Sequence, residues 1–102
     1  MKQSLIEYIK DSKFFKLAEV SFWKSLDGYK IEEQEEYLQI TDNKSVSIIL
    51  NTISYKVFMD SHNQDVVIIK YNIYCEKKII GDYSFIIDFI NKTPIDDYLV
   101  FR

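Results

Sequence analysis

The stretch Val66-Val67-Ile68-Ile69-Lys70-Tyr71-Asn72-Ile73-Tyr74-Cys75 decides the fold. Val67, Ile69, Tyr71, Ile73 and Cys75 stand two residues apart and are apolar or aromatic, while Lys70 and Asn72 fall between them. A repeat of two is the period of a strand, whose side chains point alternately to opposite faces of a sheet. The β-branched and aromatic residues that dominate here suit that extended, half-buried backbone.

Working outward, the same chemistry continues to the end of the chain and starts near Ser54. Strands are expected at about 54–60, 66–76, 79–90 and 95–102. They are separated by Ser61-His62-Asn63-Gln64-Asp65, by a turn near Lys77-Lys78 with Gly81-Asp82 as the alternative, and by Asn91-Lys92-Thr93-Pro94. Short connections join antiparallel neighbours, which predicts a four-stranded meander. Parity assigns Tyr55, Val57, Met59, Val67, Ile69, Tyr71, Ile73, Tyr83, Phe85, Ile87, Phe89, Leu99 and Phe101 to the inner face, with Asp97. The outer face then holds Lys56, Phe58, Lys70, Asn72, Tyr74, Asp82, Ser84, Asp88, Asp96, Tyr98 and Arg102.

Upstream the period lengthens. Ser4-Leu5-Ile6-Glu7 has capping-box spacing and predicts the start of a first helix. Phe14, Ala18, Phe22 and Leu26 recur every fourth residue, one apolar stripe on a second helix or a continuation of the first, in which Trp23 is expected to join the core. Asp27-Gly28 is expected to stop it, and the acidic stretch after Tyr29 is weakly helical. Asp42-Asn43 offers a cap for a further helix, with Val46, Ile49, Leu50 and Ile53 at i, i+3, i+4 and i+7. The fold class is α+β: N-terminal helices packed on one face of a four-stranded antiparallel sheet, in a single domain over residues 1–102.

Composition bounds the function. With 47% apolar, 16% aromatic and 28% charged residues, the chain has the balance of a globular domain with a core built from rings. Apolar runs are only a few residues long, against the roughly 20 that span a bilayer, and no signal-peptide apolar region follows the first residues, so a cytoplasmic protein is expected. Cys75 is the single cysteine and reads as a small buried hydrophobe.

Chemistry-bearing constellations are sparse. His62 is the single histidine and falls in a turn beside Asn63 and Asp65, without the partners an acid–base site needs. Gly28 and Gly81 are isolated, so no phosphate-cradling loop is formed, and no His or Cys cluster has zinc spacing. The expectation is a protein that is not an enzyme and takes no cofactor or metal. Charge is uneven within a net −3: Glu32, Glu33, Glu35, Glu36 and Asp42 occur without a base between Ile31 and Asn43, and Asp82, Asp88, Asp96 and Asp97 stand against Lys92. Such patches repel a nucleic-acid backbone and favour a basic protein partner. Tyrosines supply rigid contact area with a polar tip, so the mixed outer sheet face is the leading binding surface.

The segment from Ile80-Gly81-Asp82-Tyr83-Ser84-Phe85 to Asp88-Phe89, with Ile95-Asp96-Asp97-Tyr98-Leu99-Val100-Phe101 after a short turn, resembles the terminal hairpin of small immunity proteins of bacterial toxin–immunity systems, including contact-dependent growth inhibition. The resemblance covers about a quarter of the chain. It implies a cytosolic inhibitor that binds the C-terminal domain of a cognate toxin, often a basic nuclease, and blocks its active site or substrate surface. It carries over to Asp82, Tyr83, Asp88, Asp96, Asp97 and Tyr98; the charge and tyrosine pattern adds Tyr74 and the Glu32, Glu33, Glu35 and Glu36 run as partner-binding candidates. Lysine at Asp88, Asp96 and Asp97 is then expected to weaken binding and leave the fold intact. Two alternatives are a small cone-shaped enzyme or ligand carrier, its pocket lined by Tyr55, Tyr71, Tyr83 and Asp97 between helices and sheet, and a protein that oligomerises through its last strand.

Overall fold

The computed structural model describes residues 2–57 and 65–102. Its order is α1 (Lys2–Asp11), α2 (Phe14–Glu32), α3 (Gln34–Thr41), β1 (Val46–Val57), β2 (Asp65–Cys75), β3 (Lys78–Asp88) and β4 (Thr93–Phe101). The strands form an antiparallel sheet in the order β1-β2-β3-β4, the expected meander, with the helices on one face. The expected positions of Phe58, Met59 and His62 lie outside the described residues.

The stripe on α2 forms the centre of the helical layer. Phe14, Ala18, Phe22 and Leu26 are buried and meet Val67, Ile69, Ile73, Tyr83, Phe85 and Ile87 from β2 and β3. Phe22 stands edge-on to Tyr83, with ring centroids 5.4 Å apart. Burying such a ring stabilises the fold by about 2–3 kcal/mol relative to exposing it. At the flanks Tyr8 packs on Phe89 and donates its hydroxyl to the Phe89 carbonyl at 2.9 Å, while Tyr29 packs on Phe101. Cys75 is buried as expected, its thiol directed at the Thr41 carbonyl.

Several boundaries differ from the sequence reading. The first helix starts at Lys2, which places Ser4 inside it rather than at its cap. Gly28 does not stop α2, which runs on to Glu32; the break comes at Glu33, with φ −125° and ψ 51°. Helical hydrogen bonding continues through glycine at a cost of about 1 kcal/mol, less than the flanking aromatic contacts return.

The largest correction concerns Val46–Ile53, which is not a helix but the first two-thirds of β1. Asp42 and Asn43 take left-handed conformations, φ 51° and 59°, and close α3 rather than opening another helix. Asp and Asn serve either end, since their short polar side chains both cap amides and tolerate positive φ. The misleading period has its own cause. A bulge at Asn51 inserts one residue between Leu50, opposite Tyr71, and Thr52, opposite Lys70. Leu50 and Ile53 therefore share the inner face although three residues apart, which imitates helical spacing.

The β2–β3 turn lies at Glu76-Lys77, with Glu76 at φ 57°. Gly81 sits inside β3 opposite Phe101, where a Cβ would lie 2.1 Å from the Val100 carbonyl oxygen. Glycine is required here because the end of β4 crosses its backbone closely.

Candidate functional site

The outer face of the sheet is uncovered among the described residues. The register places its side chains in rows running from β1 to β4: Lys56, Val66, Asp88 and Thr93; Ser54, Ile68, Ile86 and Asp96; Thr52, Lys70, Ser84 and Tyr98; Ile49, Asn72, Asp82 and Val100. Tyr74 closes the array between Ser47 and Ile79. Ile68 and Ile86 are half-buried at the centre, whereas Ile49, Tyr98 and Val100 are exposed towards the edges. Exposed apolar and tyrosine side chains interleaved with polar ones are the make-up of a protein-binding patch.

The acidic candidates occupy different environments. Asp82 pairs with Arg102, so its charge is compensated. Asp96 is exposed and stands beside Tyr98, whose hydroxyl pKa it raises. Asp88, expected on the open face, is buried: its carboxylate accepts from the amides of Ile90 and Asn91, both at 3.1 Å, and from the Asn91 side chain at 3.0 Å. That is how an aspartate holds a turn together, and lysine there would cost the turn its acceptors.

Asp97 faces the helices, as parity requires. Its Oδ2 accepts from the Tyr83 hydroxyl at 2.7 Å and from the Ser25 hydroxyl at 2.9 Å. Tyr83 is fully buried, and burial first, then the Asp97 carboxylate, pushes its pKa far upward. This group pins β4 to α2, so lysine at Asp97 would disturb the fold as well as any partner. Ser25 had no distinguishing signal in the sequence; only the packing of α2 on β4 brings it to Asp97.

Glu32, Glu33, Glu35 and Glu36 are exposed at the junction of α2 and α3. They belong to the helical layer and so lie on the other side of the sheet from Tyr74, Asp82, Asp96 and Tyr98. The two sets of candidates form separate surfaces.

The supposed pocket residues also separate. Tyr83 and Asp97 bond to each other, and Tyr55 donates to Asp65 at 2.5 Å. The Tyr71 hydroxyl is buried with no hydrogen-bond partner among the described residues, and burial, with Glu19 adding to it, pushes its pKa up to about 12. A groove of about 530 Å³ lies elsewhere: Trp23, Lys30, Tyr37 and Lys44 border it between α2, α3 and the start of β1. Trp23, expected in the core, is 44% exposed there and touches Phe22 edge-on.

No group of His, Cys, Asp and Glu among the described residues has the placement to hold a metal ion, and no helix is long and apolar enough to cross a membrane. Comparison with family models, with curated proteins and with solved structures gives no match.

Proposed function

We propose that the chain acts by binding rather than by catalysis, as a cytoplasmic immunity protein that docks on the C-terminal domain of a cognate bacterial toxin and occludes its active site or substrate surface. The observation that carries this reading is the uncovered sheet face, with Ile68 and Ile86 at its centre and Tyr74, Asp96 and Tyr98 around them. Aromatic anchors within such a patch hold a complex, while surrounding charges set the rate and choice of partner. The net charge of −3 suits a basic toxin domain such as a nuclease.

The footprint on this reading is narrower than the full acidic set. Asp88 and Asp97 serve the fold, which leaves Asp96 and Tyr98 as the informative positions, with Asp82 held by Arg102. Titration calorimetry against the toxin domain encoded beside this chain tests it, with toxicity assayed in parallel. Tyr98→Ala with Asp96→Lys is expected to weaken binding at least tenfold, about 1.4 kcal/mol or more, without changing the thermal midpoint. An unchanged Kd removes the sheet face from consideration; loss on reversing Glu32, Glu33, Glu35 and Glu36 instead moves the footprint to the helical layer.

The groove beside Trp23 favours a second reading, a small-ligand carrier, since its volume is in the range of ligand sites. Quenching of Trp23 fluorescence by a metabolite mixture, together with retention of the same metabolite by the wild type and its loss from Trp23→Ala, supports that alternative.

A further inference from the structure

The two edges of the sheet are built differently. An edge strand exposes unpaired amides and carbonyls, and proteins guard such edges with charges, proline, a bulge or a covering element. β4 follows that practice: its nine residues include Pro94, Asp96 and Asp97, and Ser25 of α2 ties it to the helices. β1 carries a bulge at Asn51 but little else of the kind. It runs for twelve residues, about 40 Å at roughly 3.3 Å per residue, with Lys56 as its one charged residue and no proline. Leu50 and Val57 are 43% and 52% exposed although the register places both on the inner face, and Ile49 is exposed on the outer face.

The bulge fixes the register in which this edge matches its own copy on both sides of the axis. When a strand pairs with its own copy about a twofold axis perpendicular to the sheet, facing residues must lie on the same side. With the axis between Asn51 and Thr52, strict alternation would set inner residues against outer ones along the whole ribbon. The extra residue at Asn51 shifts the phase, so Leu50 faces Ile53, Ile48 faces Tyr55 and Val46 faces Val57, all inner, while Ile49 faces Ser54 and Ser47 faces Lys56, all outer. The two lysines then lie roughly 30 Å apart, beyond the screening length. A groove of about 340 Å³ lined by Leu5, Ile6, Leu50, Asn51, Thr52 and Ile53 flanks the axis and is open to side chains of a second copy.

We propose that β1 is a self-association edge, through which a second copy of this chain pairs antiparallel to join the two sheets into one. This is independent of the toxin-binding reading, because the outer faces stay open and point to the same side of the joined sheet.

Sedimentation velocity on the full chain from about 1 to 500 µM is expected to show a monomer–dimer equilibrium with a micromolar Kd, as befits a small interface. Thr52 is exposed, and in the proposed pairing it would face the copy's Asn51 and lie diagonally across the axis from its own copy. Thr52→Lys and Thr52→Glu are each expected to weaken the dimer at least tenfold with unchanged circular dichroism, and mixing the two variants to restore it. Oxidised Ser47→Cys/Lys56→Cys protein is expected to run as a covalent dimer on a non-reducing gel. A monomer at every concentration, assembly beyond the dimer, or failure of the mixed variants to associate would overturn the proposal.

Discussion

Removing the Asp97 carboxylate tests whether the Tyr83–Asp97–Ser25 group is what fixes β4 to the helical layer. Asp97→Ala deprives two donors of their acceptor at once. Ser25 is half-buried and regains water, so its share is small, about 0.5 kcal/mol. Tyr83 is fully buried and does not, so its stranded hydroxyl and the lost charge-assisted bond together cost about 2–3 kcal/mol. The sum, about 3 kcal/mol, corresponds to a fall in Tm on the order of 15 °C for a domain of this size. Tyr83→Phe leaves Asp97 its Ser25 donor and costs about 1 kcal/mol. The double variant has no stranded hydroxyl and should lose less than the sum, a coupling of about 1 kcal/mol. Urea denaturation of the four proteins, followed by circular dichroism, measures the cycle. Asp97→Ala no worse than Tyr83→Phe, or strictly additive losses, would refute the reasoning and return Asp97 to the list of partner contacts.

The two glycines are expected to respond with opposite sign. Gly81→Ala forces the Val100 carbonyl away and costs about 3 kcal/mol, whereas Gly28→Ala, in a helix with open space around it, stabilises by about 1 kcal/mol; thermal melts of both give the comparison. At high pH the raised tyrosine pKa values set the sign. Tyr71, and Tyr83 beyond it, bind protons more tightly folded than unfolded, so stability holds below about pH 10 and falls as pH rises towards 12. Tyr71→Phe removes a buried hydroxyl with no partner among the described residues and is expected to raise stability at neutral pH and shallow this alkaline loss, as pH-dependent denaturation will report.

The sheet was legible because its inner residues obey a period of two over whole strands, as Val67 to Cys75 and Tyr83 to Ile87 do. β1 was not, because one bulged residue converts that period into spacings of three and four, and pairing with β2 alone distinguishes them. Gly28 misled for a related reason: a stop signal acts only when the packing beyond it is weaker than the cost of helical glycine. On the candidate surface, parity correctly separated Asp97 from Asp96 and Tyr98. It failed for Asp88, at the strand's last position, where the turn folds back over the side chain. Trp23 had apolar neighbours in sequence but lies off the Phe14–Leu26 stripe, beside a groove that only the placement of α3 creates.

The remaining step concerns how the two proposed surfaces combine. The molecule is a plate, 42 × 29 × 19 Å, with helices on one side only. Its outer face and its β1 edge are perpendicular, and two strands, β2 and β3, separate Thr52 from Asp96 and Tyr98. Thr52 belongs to the outer face but stands at its β1 margin, so for a footprint centred on Asp96 and Tyr98 Thr52→Lys should leave the intrinsic affinity for a monovalent partner unchanged. A dimer that presents both faces on one side would nonetheless bind a partner tethered at high density far more tightly than a monomer does, through effective concentration alone. The two surfaces are therefore distinguished by one comparison: binding of wild type and Thr52→Lys to a soluble toxin domain and to the same domain immobilised. Equal affinity in solution with a faster off-rate for Thr52→Lys on the dense surface follows from a face that binds and an edge that pairs. A loss in solution would mean that β1 itself contacts the partner.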